Sequence, residues 1–320
     1  MKRVLVTAIG GQVGHGILKS LDGYDGEMFG TDIDDYPAGM DRVRSFFKIP
    51  LAMDAGFIPA LIRICEDNAI SHLIPVNEQE IVTVAENVDQ FISKDIRVLS
   101  LNLEQLKTCS DKYTLPKTLT AFGLYAPESF TVDEFVPDGR QYIAKIRNSY
   151  GSRLTQIFET REQLMSTVAR AAKEVVVQRY IPSPKTEYTI GVFATEREVR
   201  SIAFRRELEG GYTQLIELVT GLDAEFRRIA ECVAKNLKIV GCFNIQLREN
   251  EGKYYIFEIN PRISGTVYFR HQLGFQDVRW WLAHSSGESV LPYENKYTKA
   301  VGIREFNEKI IISESPNVLF

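Results

Sequence analysis

The sequence predicts an α/β domain with a parallel sheet over residues 1–108, followed by an α+β region over residues 109–320. Three observations predict this. Short β-branched runs alternate with helix-length amphipathic stretches up to about residue 108, the pattern of a parallel sheet with crossover helices. Farther on, strand-like runs at 188–194 and 199–205 follow one another with no helix between them, as paired strands do. The stretch 242–259 alternates polar and apolar residues on either side of a polar turn, which reads as a half-buried hairpin.

Taken in order, residues 3–8 form a short apolar run that ends at Gly10-Gly11, so a first strand, a glycine turn and a helix over 13–21 are expected. A second strand over 27–31 ends at Asp32. Residues 57–67 place Ile58, Leu61, Ile62 and Cys65 on one helical face. A third strand at 72–76, a helix at 81–91 and a fourth strand at 96–99 complete the first domain. A helix is expected over 111–122 with Leu115, Leu119 and Phe122 inward; Pro116 in its middle demands a kink or a later start. Then come a strand at 142–146, a polar small-residue loop at 147–153, a helix at 160–172 and a strand at 175–178. After the paired strands, a long helix covers 224–237, and the hairpin pairs 242–248 with 254–259 across Glu249-Asn250-Glu251-Gly252. A last helix covers 278–285, and no internal repeat or low-complexity segment is present.

Composition excludes several classes. A formal net charge of -4 and a pI of about 5.8 give no concentrated basic face, so no nucleic-acid partner is expected. The four cysteines (Cys65, Cys109, Cys232, Cys242) form no C-x-x-C pair, and the four histidines (His15, His72, His271, His284) are scattered, which argues against a zinc site and for reduced, buried thiols. The apolar run after Met1-Lys2-Arg3 is too short for a leader, and no stretch approaches the roughly 20 apolar residues of a membrane span. A cytoplasmic protein without membrane contacts is expected.

The most informative stretch is 243–266. Glu258 and Asn260 are two apart on one strand and share a face, with Arg262 just beyond. Asn244, Gln246 and Arg248 form an alternating polar face on the partner strand, so pairing across the turn brings Gln246 near Glu258 and Asn260. Carboxylate and amide oxygens suit Mg²⁺, and a neighbouring guanidinium suits an acylphosphate or an oxyanion. The bland alternative is the solvated face of a hairpin.

Glu258-Ile259-Asn260-Pro261-Arg262, preceded by a strand carrying Gln246, closely resembles the metal-binding end of the ATP-grasp superfamily, nearest its carbamoyl-phosphate-synthase-like branch. The resemblance covers almost the whole chain. It implies a Rossmann-like pre-ATP-grasp domain (1–108) followed by a two-lobed ATP-grasp domain: a smaller lid lobe at 109–180, a metal-binding lobe at 181–290 and a C-terminal tail at 291–320. It also implies ATP and two magnesium ions, replaceable by manganese, held by Gln246, Glu258 and Asn260, with Arg262 and Asn260 at the reacting groups. Asp111-Lys112 resembles the opening of the ATP-grasp domain, which puts Lys112 toward the nucleotide phosphates. Lys145 resembles the phosphate-binding lysine at a strand end. Arg147, Gly151, Ser152 and Arg153 resemble the flap over the phosphates, although relatives carry more glycines there. Gln178, Tyr180 and Ile181 match the hinge that reads adenine, and Glu187 matches the carboxylate on the ribose.

Gly10, Gly11 and Gly14, with Asp32 about 20 residues on, also fit a dinucleotide fingerprint loosely; the strict G-x-G-x-x-G spacing is missing. That supports a rival reading as a nicotinamide-dependent oxidoreductase. In the ATP-grasp reading the same edge binds the carboxylate substrate, with Gly11, Asn77, Glu78, Arg205, Ser264 and Gly265 as candidate contacts. For Asn77 the alternative is a helix cap. The expected activity is an ATP-dependent carboxylate–amine ligase acting through an acylphosphate on small molecules, with a homodimer as a possible assembly. A nucleotide-binding module that needs a partner is the other alternative.

Overall fold

Alternating strands and helices in the N-terminal part give a five-stranded sheet in the order β3-β2-β1-β4-β5, with every pairing parallel. In the computed structural model, which describes residues 1–148, 156–169, 171, 174–182, 187–209 and 212–305, the strands are β1 (Lys2–Val6), β2 (Gly26–Asp32), β3 (Ser45–Lys48), β4 (His72–Ile74) and β5 (Arg97–Val98). Helices α1 (Gln12–Ser20), α2 (Phe57–Asp67), α3 (Glu78–Glu86) and α4 (Val88–Ile92) connect them. The helix expected at 81–91 is thus two helices broken at Asn87, and it starts earlier because Asn77 caps it: Asn77 Oδ1 accepts from Gln79 N–H (2.9 Å) and Glu80 Oε2 accepts from Asn77 N–H (3.2 Å). β3, a four-residue strand, was not expected.

Pairing of β1 with β4 puts the glycine turn and the Asn77-Glu78 segment side by side at the carboxyl edge of this sheet. Thr7 ties them: its N–H donates to Ile74 O (3.1 Å), and its Oγ1 accepts from Val76 N–H (3.0 Å). Ligands of open α/β sheets lie at such an edge.

The helix expected over 111–122 corrects to a later start. Helix α5 (Leu103–Ser110) ends at Asp111, whose backbone is extended, and α6 (Thr114–Ala121) begins after it. Pro116 is its third residue, where a missing N–H costs no intrahelical bond. A four-stranded antiparallel sheet follows in the order β6-β9-β7-β8: β6 (Ser129–Thr131), β7 (Tyr142–Ile146), β8 (Gln156–Phe158) and β9 (Val175–Arg179), with α7 (Arg161–Val168) against it. Its own small core holds Phe135, Tyr142, Phe158, Leu164, Val175 and Val177.

The second antiparallel sheet has six strands in the order β14-β13-β10-β11-β12-β15. They are β10 (Glu187–Ala194), β11 (Val199–Glu209), β12 (Tyr212–Leu218), β13 (Gly241–Asn250), β14 (Lys253–Asn260) and β15 (Val301–Ile303). One face is largely apolar: Ile190, Val192, Phe243, Ile245 and Leu247 pack on Phe226, Ile229, Ala230 and Val233 of α8 (Asp223–Asn236). The opposite face changes character along its length. Phe193 and Cys242 join Trp280 and Trp281 of α9 (Asp277–Ser285) in a core that also contains Val4, Val6 and Ile17 of the parallel domain. Toward the other end the same face carries Thr189, Glu187, Gln246 and Arg248. The apolar half fastens the sheet to the first domain, and the polar half is left to form a site.

Among the described residues no helix is long and apolar enough to cross a membrane. The four cysteines are free; Cys65, Cys109 and Cys242 are buried, and burial pushes the Cys65 and Cys109 thiols up to about 12.

Candidate active site

The β13–β14 hairpin turns through Glu251 (φ 54°) and Gly252 (φ 74°), both left-handed, so its loop is two residues, shorter than the expected four. At the other end Gln246 faces Glu258 and Asn244 faces Asn260, as the alternation predicts. Between them the register slips by one residue: Leu247 pairs with Ile256 and Gln246 with Glu258, leaving Phe257 as a bulge. Phe257 lies in the recess, with Lys145 Nζ 5.5 Å and the Arg248 guanidinium 5.2 Å from its ring. The sequence reading missed this aromatic, because strict alternation gives no sign of a bulge.

One recess is lined by Lys112, Phe257, Glu258, Asn260, Arg262 and Glu78, so five candidate residues from the two sequence regions converge. Lys145 comes from the four-stranded sheet and donates to Gln178 Oε1 (2.9 Å). Gln178 is buried and donates in turn to Lys112 O (2.8 Å) and Ser129 Oγ (3.0 Å). Burial lowers the Lys145 ammonium to about 8; Glu258 opposes that shift, while Lys112 and Arg248 add to it. Burial also lowers Lys112, again against the pull of Glu258. Two cations from one side therefore share the carboxylate of the other.

Glu187 accepts from Arg206 Nη2 (3.2 Å) and from Arg248 Nη2 (2.9 Å) and Nε (3.1 Å). Arg206 Nη2 also donates to Gln246 Oε1 (2.7 Å), and Arg248 Nη1 donates to Ile181 O (3.1 Å), with the Tyr180 ring 5.8 Å from its guanidinium. Arg205, the neighbouring candidate, lies on the opposite face: it pairs with Glu217 (3.2 Å) and sits 5.8 Å from the Tyr188 ring. Strand alternation separates the two arginines, and Arg206 is the one that enters the site.

Arg147 pairs with both oxygens of Asp111 (2.9 and 2.8 Å) and with Glu174 (2.9 Å). Burial works against the Asp111 anion, but Arg147, Thr114 and two backbone N–H groups outweigh it and hold the carboxyl far below the usual range. Arg147 therefore locks the start of α6 to the end of β7. Gly151, Ser152 and Arg153 lie outside the described residues.

Arg262 donates through Nε to Glu78 Oε1 (2.8 Å), reaches the same oxygen through Nη2, and donates through Nη1 to Ile263 O (3.0 Å). This contact joins the metal-strand end to the edge of the parallel sheet. Ser264 turns inward: its Oγ accepts from the fully buried Arg270 (2.9 Å), which pairs with Asp277. A Cβ at Gly265 would lie 2.5 Å from the Gln12 carboxamide, the movable end of a side chain.

At the glycine turn, Gly10 N–H donates to Asp32 Oδ2 (2.8 Å) and Asp34 N–H to Oδ1 (3.2 Å). Pro37 closes over the turn, 3.0 Å from where a Gly10 Cβ would stand. Asp32 thus anchors backbone, and Pro37 and Gly39 pack against Gly10 and Ile9 of the turn.

Comparison with known proteins finds relatives of this fold. Residues 171–308 match the model of an ATP-grasp in the biosynthetic pathway with Ter operon, and residues 4–99 match that of the PylC-like N-terminal domain. The large chain of carbamoyl phosphate synthase from Thermotoga neapolitana is 24% identical over 199 residues, which is 56% of this chain and 18% of that protein. Among solved structures, L-amino acid ligase from Bacillus licheniformis superposes with a TM-score of 0.71 at 15% identity, over 88% of this chain and 73% of that one. The biotin carboxylase domain of Hydrogenobacter thermophilus 2-oxoglutarate carboxylase, in complex with magnesium ADP, ADP and bicarbonate, gives 0.72 at 13%, over 92% and 71%. At such identities the structures speak for the fold. The chain is an ATP-grasp superfamily protein with a PylC-like N-terminal domain, distantly similar to the large chain of carbamoyl phosphate synthase.

Proposed function

We propose that this protein is an ATP-dependent carboxylate–amine ligase. A substrate carboxylate attacks the γ-phosphorus of ATP, the β–γ bridge breaks, and ADP leaves an acylphosphate; an amine then displaces phosphate to give the amide. The observation that carries this reading is the meeting of Lys112, Lys145, Glu258, Asn260 and Arg262 between the two antiparallel sheets, beside the carboxyl edge of the parallel one.

Lys112 and Lys145 offset the charge of the triphosphate, which is the main work of a phosphoryl-transfer site. Adenine lies against the backbone of Gln178, Tyr180 and Ile181. Glu187 takes a ribose hydroxyl: a carboxylate has about four acceptor positions, and the two arginines use three of them here. Gln246, Glu258 and Asn260 fit magnesium, since all three offer hard oxygens on one face and Gln246 Oε1 already draws a cation, Arg206. The set contains one carboxylate, so the two ions would depend on phosphate oxygens for much of their coordination. Bound there, magnesium supplies alignment and charge neutralisation of the phosphates. Asn260 and Arg262 stand at the reacting end, where Arg262 stabilises the acylphosphate and the oxyanion formed on amine attack. Glu78 holds that guanidinium until a substrate carboxylate competes for it.

The test is ADP and phosphate release from Mg-ATP with pools of carboxylates and amines, with Glu258→Ala as control. Turnover that requires both pools and disappears in the control is expected. ATP binding without turnover from any pool would instead favour a module that acts with a partner.

A further inference from the structure

At the edge of the six-stranded sheet lies a guanidinium that, among the described residues, forms no ion pair with a carboxylate. Arg304 follows β15, which pairs with β12 at the sheet edge. It is half-buried, with the Phe269 ring 4.9 Å from its guanidinium. Nε donates to Thr213 O (2.8 Å) and Nη2 to Gly265 O (2.8 Å), three residues after Arg262. With the Gln12 carboxamide turned so that acceptor meets donor, its Oε1 accepts from the same Nε (2.7 Å) and Nη2 (3.2 Å). These partners are neutral, and among the described residues no carboxylate forms an ion pair with Arg304. Burial lowers its pKa.

Helix α1 brings further positive charge to this place. Gln12, His15 and Lys19 are spaced i, i+3, i+7 and share a face. Lys19 Nζ lies 5.4 Å from the Tyr268 ring, and its ammonium is pushed down first by burial and then by Arg42 and Arg304. The acids facing this group are Asp22, which pairs with Arg42 at 2.6 Å, Asp41 and Glu305. A cation held away from water without a counter-charge is costly, and an anionic ligand relieves that cost.

We propose that Arg304, assisted by Gln12 and Lys19, binds a second anionic group of the acceptor substrate, a carboxylate or phosphate distinct from the carboxylate that is activated. This rests on the ligase reading above and narrows the substrate class to molecules with two anionic groups. Arg304 is then a specificity-determining residue placed by β15.

The test is calorimetric binding to the full chain, which needs no turnover. The probes are L-glutamate and O-phospho-L-serine, each compared with L-glutamine, which lacks the second anion. At least one dianionic probe is expected to bind roughly 30-fold more tightly than L-glutamine, the size of a charge-assisted pair. Arg304→Ala should remove that difference and Arg304→Lys should restore part of it, with Mg-ATP affinity unchanged in both. Gln12→Ala gives a second, milder variant should Arg304→Ala fold poorly. A preference for phosphoserine over glutamate identifies the anion as phosphate, and the reverse identifies a carboxylate. Equal binding of glutamine, no binding of either dianion, or a preference that survives in Arg304→Ala would overturn the proposal. ADP release in the mixed-pool assay judges the ligase reading separately.

Discussion

The two antiparallel sheets that bracket the recess are unequal. The six-stranded sheet is apolar over most of one face and half of the other, and it shares a core with the parallel domain. The four-stranded sheet has strands of three to five residues and one small aromatic cluster. In the proposed reading the larger sheet supplies the metal-binding oxygens, while the smaller supplies Lys145 and Gln178. Coordination demands oxygens fixed within a fraction of an ångström, which a well-packed sheet provides. Charge compensation by long side chains tolerates displacement, and a lobe with few contacts opens at lower free-energy cost. The division of roles follows the division of packing.

The largest expected effect tests the oxygen side. Glu258→Ala removes the only carboxylate of the predicted metal set and should lower ATP turnover by at least about 10³-fold with little change in melting temperature. Retention of a tenth of the activity would move the metal site elsewhere. Next, Phe135→Ala should destabilise the small lobe by about 3–4 kcal/mol. Because both tryptophans, Trp280 and Trp281, lie in the large core, far-UV circular dichroism should begin to fall at lower urea than tryptophan fluorescence. Coincident curves would show that the two sheets unfold as one.

A smaller effect comes from pH. With its ammonium lowered from 10.5 to about 8 by burial, Lys145 is charged in the folded and unfolded chain below pH 8, where its burial disfavours folding. Between about pH 8 and 10.5 the unfolded chain holds the extra proton, so stability rises with pH across that window. Nucleotide affinity should run the other way, weakening above about pH 8 as the ammonium is lost, by up to roughly tenfold per unit if the charge is essential. Lys145→Arg should flatten this limb in calorimetry, and an unchanged limb would assign it to another group. Least of all, Gly265→Ala brings a Cβ against the movable end of Gln12 and should cost about 1 kcal/mol in chemical denaturation.

Much of this was legible in the sequence because the relevant signals are local. The pairing of Gln246 with Glu258 follows from alternation, and the parallel domain from its strand–helix rhythm. Short strands such as β3, β6, β8 and β15 carry too few residues for a period to register. The break at Asn87 and the later start before Pro116 depend on caps, which propensity places only within a turn. The Glu78–Arg262 contact spans 184 residues, and nothing in either segment names the other. Arg206 was separable from Arg205 only once the register of β11 was known, and Arg304 is a lone arginine whose meaning comes from neighbours without charge.

The bulge at Phe257 makes the hairpin directional in its tolerance of change. Ile256 and Glu258 are two residues apart yet face opposite sides, because the bulge absorbs Phe257 as an extra residue. Deleting Phe257 would turn the bulge into regular pairing and leave Glu258 opposite Gln246, at the cost of the ring in the recess, whereas deleting Ile259, beyond the bulge, would turn Asn260 from the recess toward the core. At the other end, the Glu251-Gly252 loop lies far from this count. Insertions, tags or grafted segments belong at that turn, whereas β14 past the bulge admits substitution but not a change of length.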